Sequence, residues 1–115
     1  MRDPKLYLND IIEAMSAIEQ FVEGVDFEDF KNDDMRSSAV IRKFELIGEA
    51  AKRVPDSIKQ EYPDIPWKDM AGMRDRLIHF YFGIKYELVW NTIRDVIPQV
   101  KALITKILEE LEEKE

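Results

Sequence analysis

The sequence predicts an all-α fold, an up-and-down bundle of four main helices plus a short helix. Apolar residues recur at the three- and four-residue spacing of amphipathic helices along most of the chain. Prolines and glycines fall mainly between these periodic stretches, where they would separate one helix from the next. A length of 115 residues suits one hydrophobic core, so residues 1–115 are expected to form a single domain.

The first helix should begin near Pro4, because proline fits the first turn of a helix, where its missing N–H is not needed. Gly24 should end it, and an acidic connector should follow. The residues expected to face inward share the helical period; they are Leu8, Ile11, Ile12, Met15, Ile18 and Val22.

The second helix should start at Asp33 or Asp34, since either carboxylate can accept hydrogen bonds from the free N–H groups of a helix start. It should end at Val54, because the residue before a proline avoids helical geometry. Its apolar face comprises Val40, Ile41, Phe44, Ile47, Gly48 and Ala51. Three prolines then divide the chain into a short helix and a turn; they are Pro55, Pro63 and Pro66.

A third long helix should open at Trp67, directly after Pro66, and end near Gly83. A fourth helix should run from about Tyr86, and Pro98 should kink or restart it because proline disrupts the helical hydrogen bonds. The apolar stripe of this helix continues into a tail that is rich in glutamate and lysine.

Composition excludes several classes of protein and of site. The chain has no cysteine, which removes disulfides, thiolate nucleophiles and zinc–thiolate sites. No apolar window is long enough for a membrane-spanning helix, and the N-terminus lacks the apolar region of a signal peptide, so a cytoplasmic protein is expected. The net charge of -7 argues against a protein that coats nucleic acid electrostatically. The acids cluster near residues 26–34 and in the tail, whereas residues 68–76 are closer to neutral.

His79 is the only histidine and therefore the only side chain with an ordinary pKa near neutral pH. An isolated histidine is usually a structural one with a single hydrogen bond. Here Arg74, Asp75, Arg76 and Tyr81 stand close to it, and this cluster is too polar for a core helix. The group can supply a general acid or base beside a positive charge.

On a regular helix Asp75 and Arg76 would share a face with His79, so that Asp75 could orient the histidine. Arg74 would lie about 140° away around the axis. A two-fold dimer could still bring these side chains together, because Arg74 and His79 of both copies could line one shared cleft. The simpler alternative for Arg74 and Arg76 is an ion pair at the surface.

Such a cleft would suit RNA cleavage without a metal ion, in which a 2′-hydroxyl attacks the adjacent phosphorus. Histidine would move the protons, and arginine would neutralise the charge that grows on the phosphoryl oxygens. Glu45 and Glu49 could be read as a metal-binding pair, but the sequence reveals no ligands that complete a set. No metal or cofactor is therefore expected, and the two glutamates are assigned to an exposed or cleft-lining edge.

Aromatic residues surround the same segment. Base stacking is one possible role for them, but aromatic residues at mixed helical spacing more often belong to a core or a dimer interface. We assign the group to a dimer interface. It comprises Trp67, Phe80, Phe82, Tyr86 and Trp90.

The pattern Arg74-x4-His79-x-Tyr81 resembles the motif of HepT proteins, a branch of the HEPN superfamily. The flanking Met70-Ala71-Gly72-Met73 and residues 82–90 also resemble that family, as do residues 44–51. The likeness covers nearly the whole chain and is weakest in the acidic connector and the tail. It implies a HEPN-type helical bundle.

The resemblance further implies a homodimeric toxin of a toxin–antitoxin pair, a metal-independent endoribonuclease with Arg74 and His79 as catalytic residues. The partner it implies is a minimal nucleotidyltransferase antitoxin of the MntA type, which would transfer AMP to Tyr81. An adenylate there would block the cleft and add negative charge where the RNA phosphate must sit. For Tyr81 the alternative is a packing aromatic with its hydroxyl at the surface.

The main rival reading is a noncatalytic HEPN module that binds a nucleotide or a nucleotidyltransferase partner. The acidic net charge favours this rival. The combination of Arg74, His79 and Tyr81 favours the enzyme, since a scaffold has no chemical need for all three in one cluster.

Overall fold

The computed structural model describes residues 2–79 and 83–114, without the side chains of Arg74, Ile78 and His79. These residues form a mostly helical bundle, which confirms the predicted all-α class. The elements in chain order are α1 (Pro4–Phe21), α2 (Phe27–Asn32), α3 (Asp34–Arg53), α4 (Asp56–Glu61), α5 (Trp67–Ala71), α6 (Met73–Leu77), β1 (Ile78–His79), β2 (Gly83–Ile84), α7 (Tyr86–Asn91), a π-helical turn (Thr92–Val96) and α8 (Ile97–Glu113).

The core lies where α1 packs along α3 and α8 packs against α1. Leu8, Ile11 and Ile18 of α1, Phe44 of α3 and Ile104 of α8 are almost completely buried. Removing such a side chain from water contributes about 1.5–3 kcal/mol to folding, so the periodic apolar faces hold the long helices together. No helix in the described part of the chain is both long and apolar enough to cross a membrane.

The start of α3 lies where the sequence predicts it. The Asp33 side chain accepts a hydrogen bond from the Arg36 backbone N–H at 3.0 Å and another from Arg36 Nε at 3.1 Å. The first of these bonds is the main reason that the pKa of Asp33 is lowered. Arg36 also donates to the carbonyl oxygen of Phe21, which links the end of α1 to the start of α3.

The acidic connector is a helix in part, which corrects the prediction. Within it, Asp26 caps α2 by accepting a hydrogen bond from the Asp29 N–H at 2.8 Å. Phe30 on α2 is fully buried and lies with its ring centroid 5.2 Å from that of Trp90. The acids here therefore start a short helix, and its aromatic residues fasten α2 to α7.

The predicted third long helix is wrong. The chain turns at Gly72 between α5 and α6, and α6 ends at Leu77. It then enters an antiparallel pair of two-residue strands, in which Ile78 is paired with Ile84 and His79 with Gly83. The Lys85 N–H donates to the Leu77 carbonyl at 2.9 Å and closes this pairing. Gly83 does not end a helix; it adopts a φ of 81°, which glycine reaches without strain.

The predicted disturbance at Pro98 takes the form of a π-helical turn directly before it. The Ile97 N–H donates to the carbonyl of Thr92, five residues earlier, and α8 then begins with Pro98 in its first turn. Proline lacks an N–H and its ring collides with the carbonyl four residues before it, so a regular α-helix cannot pass through this position unchanged. The wider turn lets α7 continue into α8.

Candidate active site

We call residues 67–84 the motif segment. Arg74 lies on α6 and His79 on β1, at the point where the chain changes from helix to strand. The side chains of both residues lie outside the described part of the structure, as does the whole of Phe80, Tyr81 and Phe82. The catalytic role of Arg74 and His79 and the modification of Tyr81 therefore stay predictions.

The helical spacing that related Asp75 and Arg76 to His79 does not apply, because α6 ends at Leu77. A residue on a strand is not on the face of the helix before it, so a spacing of three or four residues no longer implies contact. The 140° angle between Arg74 and His79 loses its basis for the same reason. A supporting role for Asp75 and a shared dimeric cleft remain predictions, and helical spacing no longer supports them.

The motif segment is positioned by α3. A Cβ atom on Gly48 would lie 3.1 Å from the Met70 carbonyl oxygen and 3.3 Å from that of Ala71. Gly48 thus allows the C-terminal end of α5 to approach the α3 backbone more closely than a larger residue would. The neighbouring Met70 and Leu77 are almost fully buried and fix the inner side of the segment.

Asp75 lies in a polar groove between α3 and the motif segment. Arg42, Glu45, Glu49 and Lys52 of α3 line the opposite wall. Arg42 pairs with Glu45 at 3.7 Å and Lys52 with Glu49 at 3.9 Å. The assignment of the two glutamates to the edge of a cleft agrees with this position. Within the described residues, no group of three or more histidine, aspartate or glutamate side chains is placed to hold a metal ion.

Arg76 faces a different groove. Its Nη1 atom lies 3.6 Å from Asp69 Oδ1, and both side chains are more than half exposed. This is the surface ion pair that the sequence left open as the alternative for Arg76. The structure therefore does not bring Asp75 and Arg76 into one groove.

The groove at Arg76, which we call the α6–π groove, has a volume of about 420 Å³. It separates the motif segment from α7 and the π-helical turn, and most of its surface is apolar. Its lining residues are Pro66, Asp69, Met70, Met73, Arg76, Leu77, Leu88, Asn91, Thr92, Asp95 and Val96. Sequence reasoning missed this site, because its two walls are brought together only by the packing of α7 beside α6.

The aromatic residues pack differently from the prediction. Trp67 is buried and donates from Nε1 to the Tyr62 carbonyl at 3.0 Å, so its assignment to a dimer interface is wrong. Tyr86 and Trp90 both contact the ring of Phe30 within the same chain. Phe80 and Phe82 fall outside the described residues.

Comparison with known proteins gives a single consistent family. The sequence profile of a family described as "Ribonuclease HepT-like" matches residues 11–107. A protein of Methanocaldococcus jannaschii that is named as a candidate RNase is 48% identical over 98% of this chain and 97% of its own length. A second such protein of that organism is 45% identical over 99% of this chain and 94% of its own length.

A relative from Thermococcus cleftensis, named as a candidate ribonuclease HepT, is 46% identical over 92% of this chain and 96% of its own length. No solved structure matches the chain. The matched range contains α3, the motif segment and most of α8, and so includes both grooves.

Proposed function

Because the chain belongs to the HepT-like ribonuclease family, we propose that it is a metal-independent endoribonuclease and the toxin of a toxin–antitoxin pair. The observation that carries this proposal is a family match over residues 11–107 that includes Arg74, His79 and Tyr81. Three relatives that match nearly the whole chain are named as ribonucleases, which supports the same activity.

In the proposed reaction the RNA 2′-hydroxyl attacks the adjacent phosphorus, and the bond from phosphorus to the 5′-oxygen of the next nucleotide breaks. His79 takes the proton of the 2′-hydroxyl or gives a proton to the leaving 5′-oxygen. Arg74 neutralises the negative charge that develops on the non-bridging phosphoryl oxygens. The products are a 2′,3′-cyclic phosphate and a free 5′-hydroxyl, so the reaction consumes no water and needs no co-reactant.

The local charge of the motif segment is compatible with an RNA substrate even though the whole chain is acidic. From Trp67 to His79 the sequence has Lys68, Arg74 and Arg76 against Asp69 and Asp75, a balance of +1 in a chain of -7. RNA would then be held by a small patch near the scissile phosphate, and binding should be weak and sensitive to salt.

We also propose that the active form is a homodimer whose cleft combines Arg74 and His79 of two copies, with Asp75 and Arg76 in supporting positions. A minimal nucleotidyltransferase of the MntA type would silence it by transferring AMP to Tyr81. Tyr81 lies two residues after His79, so the transferred phosphate would add negative charge beside the cleft. The rival function, a noncatalytic module that binds a nucleotide or such a partner, is favoured by the acidic net charge.

The test is to express the chain without a partner and to compare wild type with His79→Ala and Arg74→Ala. We expect wild type to arrest growth and, as purified protein, to cleave RNA in the presence of a chelator. Each variant should lose at least about a hundredfold of this cleavage, as is usual when a general acid–base group or a group that stabilises transition-state charge is removed. RNA fragments should end in a 2′,3′-cyclic phosphate.

Arg94→Ala is the matched control, because Arg94 is an exposed arginine on the π-helical turn and lines neither groove. It should cleave like wild type. Equal behaviour of wild type, His79→Ala and Arg74→Ala would reject the enzyme and leave the binding module.

A further inference from the structure

The α6–π groove has the composition of a ligand site. Its floor consists of Met70, Met73 and Leu77, which are almost fully buried. Its volume of about 420 Å³ falls within the roughly 300–1,000 Å³ that is usual for small-molecule sites. Sites of this kind are mostly apolar, with a few polar groups that fix the orientation of the ligand.

The polar groups lie on the wall formed by α7 and the π-helical turn. One side of this helix carries residues that alternate at steps of three and one; they are Leu88, Asn91, Thr92, Asp95 and Val96. Thr92 Oγ1 already donates to the Leu88 carbonyl at 2.7 Å. Asn91 and Asp95 are exposed, and neither has a side-chain hydrogen bond or ion pair within the described residues, so a ligand can use them.

The floor of the groove adjoins the strand that carries His79. Leu77 in the floor is two residues before His79 along the chain, whereas Arg74 lies two residues before Arg76 on α6 and therefore on the other side of that helix. A base in this groove would therefore lie beside the motif segment, with the backbone of His79 about one nucleotide length away. The Arg76 cation, which also pairs with Asp69, complements a phosphate at the rim, and the exposed Asp95 carboxylate complements the N–H donors of a base.

We propose that the α6–π groove binds the base of an RNA nucleotide next to the scissile phosphate and gives the enzyme a preference for guanine. This inference rests on the proposed ribonuclease function. The apolar floor and Leu88 would cover the face of the base, and Asp95 would accept hydrogen bonds from the guanine N1–H and exocyclic amino group. Guanine is the base that offers two adjacent N–H donors to one carboxylate, and Asn91 can bind its remaining edge.

The first experiment compares cleavage positions in an RNA pool with randomised central nucleotides for wild type, Asp95→Asn and Glu112→Gln. Replacing the Asp95 carboxylate by an amide removes one of two acceptors and should lower the preference for guanine about tenfold, in keeping with the usual value of a bidentate contact to a base. Cleavage next to guanine should therefore fall relative to cleavage next to the other bases. Glu112→Gln is an equivalent change at the exposed end of α8 and should leave the preference unaltered.

The second experiment measures binding of guanosine 5′-monophosphate and uridine 5′-monophosphate to the full chain by NMR, using the Asn91 side-chain amide as the reporter. We expect guanosine monophosphate to shift this signal and to bind Asp95→Asn more weakly, with little effect from uridine monophosphate. This experiment does not depend on cleavage.

The two experiments separate the two proposals. If wild type cleaves RNA and Asp95→Asn keeps its base preference, the groove inference is wrong and the ribonuclease stands. If wild type does not cleave RNA, the ribonuclease is rejected and the nucleotide titration alone decides the groove. A titration in which neither nucleotide shifts the Asn91 amide, or both do so equally, also overturns the guanine site.

Discussion

The long helices and the motif segment are built in different ways. Helices α1, α3 and α8 have 18, 20 and 17 residues and bury a continuous apolar face. In the described part of the motif segment, each helix has five residues and each strand two. Helices as short as these are unstable by themselves, so their position depends on contacts with the three long helices, which we call the scaffold. The molecule thus separates the part that supplies stability from the part proposed to supply chemistry.

The largest effect should come from the scaffold. Phe44 on α3 is only 1% exposed, so Phe44→Ala removes a buried ring and should lower the free energy of unfolding by about 3–5 kcal/mol. Leu103→Ala on α8 is the control, because Leu103 is 38% exposed. Urea denaturation measures the free energy of unfolding of both variants. Comparable losses in the two variants would show that the buried face of α3 does not dominate stability.

Gly48→Ala should act on the junction between the two regions. The added Cβ would press on the Met70 carbonyl oxygen at 3.1 Å, and overpacking of this kind costs about 1–3 kcal/mol. A gain of roughly 0.5–1 kcal/mol in helix propensity offsets part of this. We expect a net loss of about 1 kcal/mol in urea denaturation, and a larger proportional loss of RNA cleavage because α5 and α6 must shift.

Gly72→Ala is the matched control for this substitution. At Gly72 the nearest atom to an added Cβ is the Lys68 carbonyl oxygen at 3.6 Å, an ordinary contact, and φ is -94°. This variant should be unchanged or more stable by about 0.4–1 kcal/mol, because alanine restricts the unfolded chain. If both alanine variants were equally destabilised, the close approach at Gly48 would not be what positions the motif segment.

Tyr62 connects the two regions and should make stability depend on pH. Its hydroxyl donates to Glu110 on α8 at 2.6 Å, and its carbonyl accepts from Trp67 at the start of the motif segment. The hydrogen bond to Glu110 is the main reason that the pKa of Tyr62 rises from 10.0 to about 12. The stabilisation is therefore fully present below pH 10 and is lost as pH rises from there through 12.

Tyr62→Phe should cost about 1 kcal/mol at neutral pH, the usual net value of one hydrogen bond. The difference in unfolding free energy between wild type and Tyr62→Phe should shrink as pH rises from 10 to 12. Denaturation at a series of pH values checks this. A difference that stayed constant across that range would mean that the hydroxyl contributes through packing rather than through its proton.

The smallest effect is expected at the surface of the scaffold. Lys101 on α8 and Glu19 on α1 approach to 2.7 Å with both side chains about a third exposed. An exposed ion pair of this kind contributes about 0.2–1 kcal/mol and less at high salt. A double-mutant cycle with Lys101→Met and Glu19→Gln measures the coupling energy, and a value well above 1 kcal/mol would make this pair a structural link between the two helices.

The difference between the scaffold and the motif segment also explains what could be predicted from the sequence. The start of α1 and both ends of α3 follow from local chemistry, since Pro4, Asp33 and Pro55 mark them wherever the chain lies in space. The end of α1 was predicted less well, because the helix stops at Phe21 and not at Gly24. A local signal for α2 was also present, because Asp26 precedes Phe27 and Phe30 at the spacing of a capped helix.

The motif segment could not be predicted in this way. Met70, Met73 and Leu77 have helical spacing, but the pairing of His79 with Gly83 depends on contacts across a turn. The α6–π groove depends on how α7 lies beside α6, which no local pattern of Leu88, Asn91 or Asp95 reveals. Family resemblance identified the residues of the motif, but not the change from helix to strand between them.

The π-helical turn has a consequence for how this fold tolerates changes in chain length. It joins α7, whose aromatic residues meet α2, to α8, whose apolar residues meet α1. Each residue added to or removed from an α-helix rotates everything beyond it by about 100°. The π-helical turn holds one more residue than an α-helical turn, so deleting one residue from Thr92–Val96 should restore a regular α-helix and keep α7 against α2 and α8 against α1. An insertion or deletion elsewhere in α7 or α8 would instead rotate one of these helices away from the helix it packs against.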